Sequence, residues 1–217
     1  MPIDVQMFTV GMVQENCFLV RPPGGDHAVI VDPGEEAPRL LQAIEDAGVT
    51  LDAILLTHTH FDHVGAVAPI ARATGAPVYC PQLEVPVLQD VMAFVPWPGF
   101  GPYESWDPEH TVAGGETLEL AGLTFDVIFT PGHSPGHVTY AVRGEAALFS
   151  GDVLFENSVG RIDLPGGDGP TLMRSIASLL ERFGDDTVVY PGHMGITTLG
   201  RERASNPFLL QLADLLQ

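Results

Sequence analysis

The sequence predicts a mixed α/β (α+β) fold in which two β-sheets pack face to face with helices on their outer sides. Three observations carry this expectation. Apolar runs of strand length, bounded by turn residues, recur along the chain, and segments with apolar residues at helical spacing lie between them. The order of several strands, a helix and a further strand occurs twice, once in each half. No Ser-rich or charged linker separates the halves, so residues 1–217 read as one domain. The repetition is architectural, since no residue-level period accompanies it.

In chain order, VQMFTV, NCFLV and HAVIVDPG are three strands in close succession, as in an antiparallel meander, and Asp32-Pro33-Gly34 stops the third abruptly. APRLLQAIEDAG follows as a helix, because Leu40, Leu41, Ile44 and Ala47 share a face and Gly48 supplies a C-cap. LDAILLT is a buried strand, VGAVAPIARATG a helix and PVYC a strand. From Val95 to Gly115 the chain is rich in Pro and Gly, holds both tryptophans and keeps no period, which reads as a long loop. Strand runs resume with TLEL, LTFDVIF, HVTYAV and AALFSGDVLF. A helix near Thr171 to Phe183, the strand TVVYPGH and a C-terminal helix around Pro207 to Leu216 complete the order.

Composition narrows the function classes. Against 28 acidic residues stand nine arginines and no lysine, a net charge of -19. Such a surface repels phosphate backbones and offers no basic stripe, which speaks against a nucleic-acid partner. No window reaches the roughly 18 consecutive apolar residues of a membrane span, and the first residues lack a basic segment leading into an apolar run. The expectation is a soluble, cytoplasmic protein whose partner is a small molecule rather than a membrane. Cys17 and Cys80 sit in apolar strands and read as buried, reduced thiols.

The chemistry is carried by histidines. Six of eight lie in three short segments at strand ends: THTHFDH with His58, His60 and His63, TPGHSPGH with His133 and His137, and YPGH with His193. In an extended backbone His58, His60 and Asp62 point to one side, while His63 follows where the chain turns into a helix. That arrangement suits two adjacent ions, and the helix start near Asp62 adds a positive dipole end. A chance H-x-H-x-D-H match in this composition has a probability on the order of 10⁻³, so the motif is strong evidence for a site. Asp152 of SGD ends another strand. Imidazole and carboxylate donors suit zinc, and iron or manganese accept the same ligands.

The set THTHFDH, PGHSPGH, SGD and PGH, preceded by VDPG, resembles the metallo-β-lactamase superfamily. Within it, GDVLFENSVGRIDLPGGD and PGHMGITTLGRERASNPF resemble the short, single-domain type II glyoxalases, the hydroxyacylglutathione hydrolase-like proteins. The resemblance implies a four-layer αββα sandwich with a dinuclear site. By position it implies that His58, His60 and His133 hold one metal and Asp62, His63 and His193 the other, with Asp152 as the bridge. Full-length type II glyoxalases add a C-terminal helical domain with lysines at the glutathione site, and this sequence carries neither.

Two cations sharing a water can present a bridging hydroxide to a carbonyl, so the expected activity is hydrolysis of acyl thioesters such as S-lactoylglutathione. Asp62 and Asp152 are the candidate catalytic carboxylates. Arg161, His137 and Trp97 are candidate substrate contacts, Trp97 as part of an aromatic wall or lid. Asp32, Thr57 and Ser134 are candidates for holding the ligand loops by hydrogen bonds. His27 and His110 default to structural or surface roles. A mono-iron persulfide dioxygenase of the same fold is the alternative, although Ile162 replaces the Thr of its GRTD-like segment and His137 stands where that group tends to have Cys. Lactone or other ester hydrolysis belongs to the same chemistry, and a non-enzymatic metal-binding module ranks last because all seven ligands are present.

Overall fold

The computed structural model describes residues 3–210. Its first half is a six-stranded sheet, β1 (Asp4–Val10), β2 (Glu15–Arg21), β3 (His27–Val31), β4 (Thr50–Leu55), β5 (Val78–Pro81) and β6 (His110–Val112), in that spatial order. The first three strands form the expected antiparallel meander, and β3 to β6 run parallel. The second sheet comprises β7 (Thr117–Leu120), β8 (Leu123–Phe129), β9 (Val138–Val142), β10 (Ala147–Gly151), β13 (Val188–Pro191) and β14 (Thr197–Thr198), with the short ribbon β11 (Leu154–Phe155) and β12 (Ser158–Val159) beside it. Helix α1 (Ala37–Ala47) joins β3 to the parallel strand β4, and the later helix α5 (Gly169–Arg182) stands between β10 and the parallel strand β13. This is the repeated strand, helix, strand order of the sequence. The remaining helices are α2 (Phe61–Val64), α3 (Val67–Thr74), α4 (Val85–Leu88) and α6 (Leu199–Ser205).

Period-two alternation builds the layers. Phe18, Val20, Val29, Val31, Ala53 and Leu55 face Phe125, Val127, Val138, Tyr140, Val142 and Phe149 across the sandwich. The intervening residues Cys17, Leu19, Ala28, Ile30 and Ile54 face outward against Leu40 and Ile44 of α1 and Val67 and Ile70 of α3. On the other side Ala141, Leu148 and Val189 meet Leu172, Ile176 and Leu179 of α5. Helix α1 ends where Gly48 takes φ 64, and α5 begins where the Asp168 side chain accepts from Thr171 N at 2.7 Å. The result is the αββα sandwich. Both cysteines are free and fully buried. Among the described residues no helix is long and apolar enough to cross a membrane.

Four local expectations change. The segment VGAVAPIARATG is not one helix: a single turn at Phe61–Val64 is followed by α3, with Gly65 and Ala66 breaking the run. The Val95–Gly115 loop contributes β6, whose backbone pairs with β5 although its sequence is too short to show a period. The AALFSGDVLF run divides at Gly151, where the chain leaves the sheet. The helix α6 was not foreseen. The helix expected from Pro207 to Leu216 has begun at residues 207–210 and beyond them lies outside the described residues.

Candidate metal centre

The C-terminal ends of β3, β4, β10 and β13, with the loop that leaves β8, converge on one edge of the sandwich. Here the structure brings all seven candidate ligands together, in two groups of three about Asp152. Ligand atoms of His58, His60 and His133 lie within 4.8 Å of one another, as do those of Asp62, His63 and His193. In the first group His60 Nδ1 is 2.8 Å from His133 Nε2, which is 3.2 Å from His58 Nε2. In the second, His193 Nε2 is 3.2 Å and His63 Nε2 3.8 Å from Asp62 Oδ2. Asp152 Oδ1 lies 3.4 Å from His63 Nε2, and Oδ2 lies 3.4 Å from His133 Nε2 and 3.6 Å from His193 Nε2.

The period-two argument holds for His58 and His60 only. Phe61 begins the turn α2, so Asp62 swings to the other group with His63. That helix is four residues long, and its dipole is correspondingly small.

For His58, His63, His133 and His193 hydrogen bonds fix which nitrogen faces inward. The Thr57 hydroxyl donates to Asp32 Oδ2 at 2.6 Å and so is left to accept from His58 Nδ1 at 3.1 Å. His63 Nδ1 donates to Asp32 Oδ2 at 3.1 Å, His133 Nδ1 to the Arg161 carbonyl at 2.8 Å, and His193 Nδ1 to the Gln14 carbonyl at 3.3 Å. Each of these rings therefore turns Nε2 toward the centre, the atom whose lone pair would bind a metal in the neutral ring. Lone pairs facing each other at 3.2 Å repel unless a cation lies between them. His63 Nε2 and Asp152 Oδ1 are buried without any hydrogen-bond partner, which is the mark of donors reserved for a metal. The residues present fit divalent ions.

Electrostatics separates the groups. Burial, with His63 and the neighbouring imidazoles, holds His58 well below the ordinary histidine value, and burial with His133 brings His60 to about 4. Both are neutral ligands at pH 7. For Asp152, burial is outweighed by His193, His63 and His133, which hold its carboxyl well below the usual range. For Asp62, His63 and His193 likewise overcome burial. Both carboxylates are ionised.

Asp32 and Thr57 link the ligand loops by hydrogen bonds. Asp32 adopts φ 47, a conformation Asp tolerates, and this turns its carboxylate back to accept from Thr57 N at 2.7 Å as well as from Thr57 Oγ1 and His63. His137 does not line the cavity: it is fully buried behind the centre, accepting from Asp152 N at 3.1 Å through Nε2 and so donating from Nδ1 to Thr130 Oγ1. Ser134 touches no ligand ring and holds its loop through another residue, its hydroxyl donating to Glu84 Oε1 at 2.7 Å. Glu84 was missed. Its buried carboxylate also accepts from Gly136 N at 2.7 Å and Thr59 Oγ1 at 3.0 Å, tying the THTHFDH loop to the PGHSPGH loop. Asn16, also missed, donates to the Pro191 and Met194 carbonyls and so fixes the His193 loop on β2. At Gly192 any Cβ would run into Asp152 Oδ1 and His63, so only glycine lets that loop close over the centre.

A cavity of about 940 Å³ opens over the centre, with His60, Asp62, His133, Asp152 and His193 at its floor. Trp97 and Arg161 line it, the guanidinium carbon 5.3 Å from the Trp97 ring centroid. Arg161 is paired with Asp163 through two hydrogen bonds of 2.7 Å. The other aromatics of the long loop, Phe100, Tyr103 and Trp106, pack on the core beside α3. His27 pairs with Asp52, and His110 lies on Tyr79, both away from the centre.

The Metallo-beta-lactamase superfamily model matches residues 10–193. The hydroxyacylglutathione hydrolase GloC of Haemophilus influenzae is 35% identical over 220 residues, covering 95% of this chain and 98% of that one. Among solved structures, the BLEG-1 B3 metallo-beta-lactamase superposes with a TM-score of 0.89 at 39% identity, covering 95% of this chain and 99% of its own. TTHA1623, solved in a di-iron-bound form, gives 0.84 at 43% identity over 94% of this chain and 100% of its own.

Proposed function

The chain belongs to the metallo-beta-lactamase superfamily, and from that premise we propose that it is a dinuclear metallohydrolase of acyl thioesters, with S-lactoylglutathione as the reference substrate. The observation that carries the reading is Asp152, whose two oxygens each lie 3.4 Å from a histidine of a different ligand group. His58, His60 and His133 would hold one ion, Asp62, His63 and His193 the other, with Asp152 between them. When bound, such a pair acidifies a shared water and polarises a carbonyl. Zinc suits these donors, and the di-iron form of TTHA1623 keeps iron beside it.

The chain's own groups do the rest. Asp62, ionised and on the cavity floor, is placed to accept a hydrogen bond from the attacking water and orient it. Asp32 and the Gln14 carbonyl lock the ring orientations of His63 and His193, so little reorganisation accompanies reaction. The apolar wall around Trp97 excludes bulk water from the carbonyl. A thiolate departs without a strong general acid.

The test is elemental analysis combined with a thioester panel. Two ions per chain and cleavage of thioesters, lost with chelation and restored by zinc or iron, are expected. A protein that leaves thioesters intact but consumes oxygen with a persulfide when iron-loaded overturns the reading.

A further inference from the structure

The cavity above the centre is walled on its outer side by apolar side chains that a polar substrate would leave wet. Leu83, Val87, Phe94, Trp97, Leu164 and Met194 line it, and Leu83, Phe94 and Met194 are 62, 53 and 55% exposed. Large apolar side chains grouped at the mouth of a catalytic cavity mark a surface that a ligand covers. The wall is continuous with His60 and Asp62 at the floor, so a carbonyl at the centre would lay its attached chain along it.

Charge points the same way. Among the described lining residues Arg161 is the single arginine, and its fork is already engaged by Asp163 while its face lies on Trp97. It has N–H groups left for one carboxylate at most. A glutathione moiety brings two carboxylates and would have to lodge the second beside a protein of net charge -19.

Resting on the thioester-hydrolase reading, we propose that the preferred substrates are thioesters of uncharged thiols carrying an apolar, medium-length acyl chain. The acyl chain covers Leu83, Phe94 and Trp97, and the thiol side needs no cationic anchor. Hydrolysis itself is unchanged: water adds its oxygen to the acyl carbon, the C–S bond breaks, and the thiolate takes up a proton.

The experiment uses the metal-loaded full chain with the acetyl, butyryl, hexanoyl and octanoyl thioesters of N-acetylcysteamine, and the same acyl groups on glutathione. The expected result is a kcat/KM that rises about fourfold for each two-carbon step, the value for half-burial of each added methylene, and that is higher for the uncharged thiol at every length. Replacing two exposed wall residues together, Leu83→Ser with Phe94→Ser, flattens the series. A flat or falling series, or faster turnover of the glutathione thioesters, overturns the inference. Should no thioester be cleaved, the hydrolase reading fails separately, and binding decides. Quenching of tryptophan fluorescence in the metal-free protein by the uncleavable octanoyl amide of cysteamine at lower concentration than by the acetyl amide upholds the apolar site, and equal concentrations reject it.

Discussion

Removing the Glu84 carboxylate should damage the centre although Glu84 is no candidate ligand. Its Oε1 accepts from Ser134 Oγ and Gly136 N at 2.7 Å each, and Oε2 from Thr59 Oγ1 at 3.0 Å, with the residue 3% exposed. In Glu84→Ala, Thr59 keeps its second acceptor, the Glu84 carbonyl at 3.2 Å, but the Gly136 N–H and Ser134 O–H lose theirs. Two buried donors left bare cost about 1–3 kcal/mol each, or ~3 kcal/mol after partial relaxation. For a chain of this length that lowers Tm by about 6–12 °C. The loops bearing His58, His60 and His133 lose their tie, so metal affinity should fall about 10- to 100-fold, the usual effect of removing a group that orients ligands. Glu84→Gln separates geometry from charge. Its amide oxygen can serve Gly136 and Ser134 while its NH₂ donates to the Thr59 hydroxyl, so the loss should stay near ~1 kcal/mol and a few degrees. Thermal melts of the metal-free protein and competition with a chromogenic chelator read both effects. An alanine variant that melts within about 2 °C of the parent and binds metal equally well would refute the reasoning.

Three further outcomes follow from the same geometry. Asp152→Ala should lower kcat/KM at least ~100-fold and reduce bound metal from two ions toward one, measured by elemental analysis, because the bridging carboxylate serves both groups. Tyr140→Phe, which removes the buried 2.9 Å bond from β9 to the Leu56 carbonyl, should cost about 1 kcal/mol, or 2–4 °C in Tm, by differential scanning calorimetry. His27 should titrate above its ordinary 6.5, because the hydrogen bond to Asp52 and the charge of that carboxylate favour the imidazolium. The sign follows: this pair contributes stability below pH 6.5 and loses it as pH rises through the folded-state value, and Asp52→Asn should return the NMR-measured pKa of His27 to about 6.5 or below.

The sequence by itself determined the layers and the ligand candidates, because both are written in short-range patterns. Alternation sends Phe18 and Val20 to one face and Cys17 and Leu19 to the other whatever packs against them. Strand-end turns such as TPGH and YPGH announce His133 and His193, and VDPG announces Asp32. Tertiary structure decided the rest. Asp62 left its neighbours His58 and His60 because one helical turn begins at Phe61, a difference of a few backbone dihedrals that period-two counting does not register. His137, four residues from His133, was sent beneath Asp152 rather than into the cavity. Glu84 lies in QLEVPVL, a segment without period, and acquires its role from partners 25 to 52 positions away. Hydrogen bonds of that reach leave no trace in local periodicity, since any short acidic residue in a loop looks the same until the strands that carry the other loops have paired. The apolar wall is assembled likewise, from segments of different layers that meet only because the sandwich brings their ends to one edge.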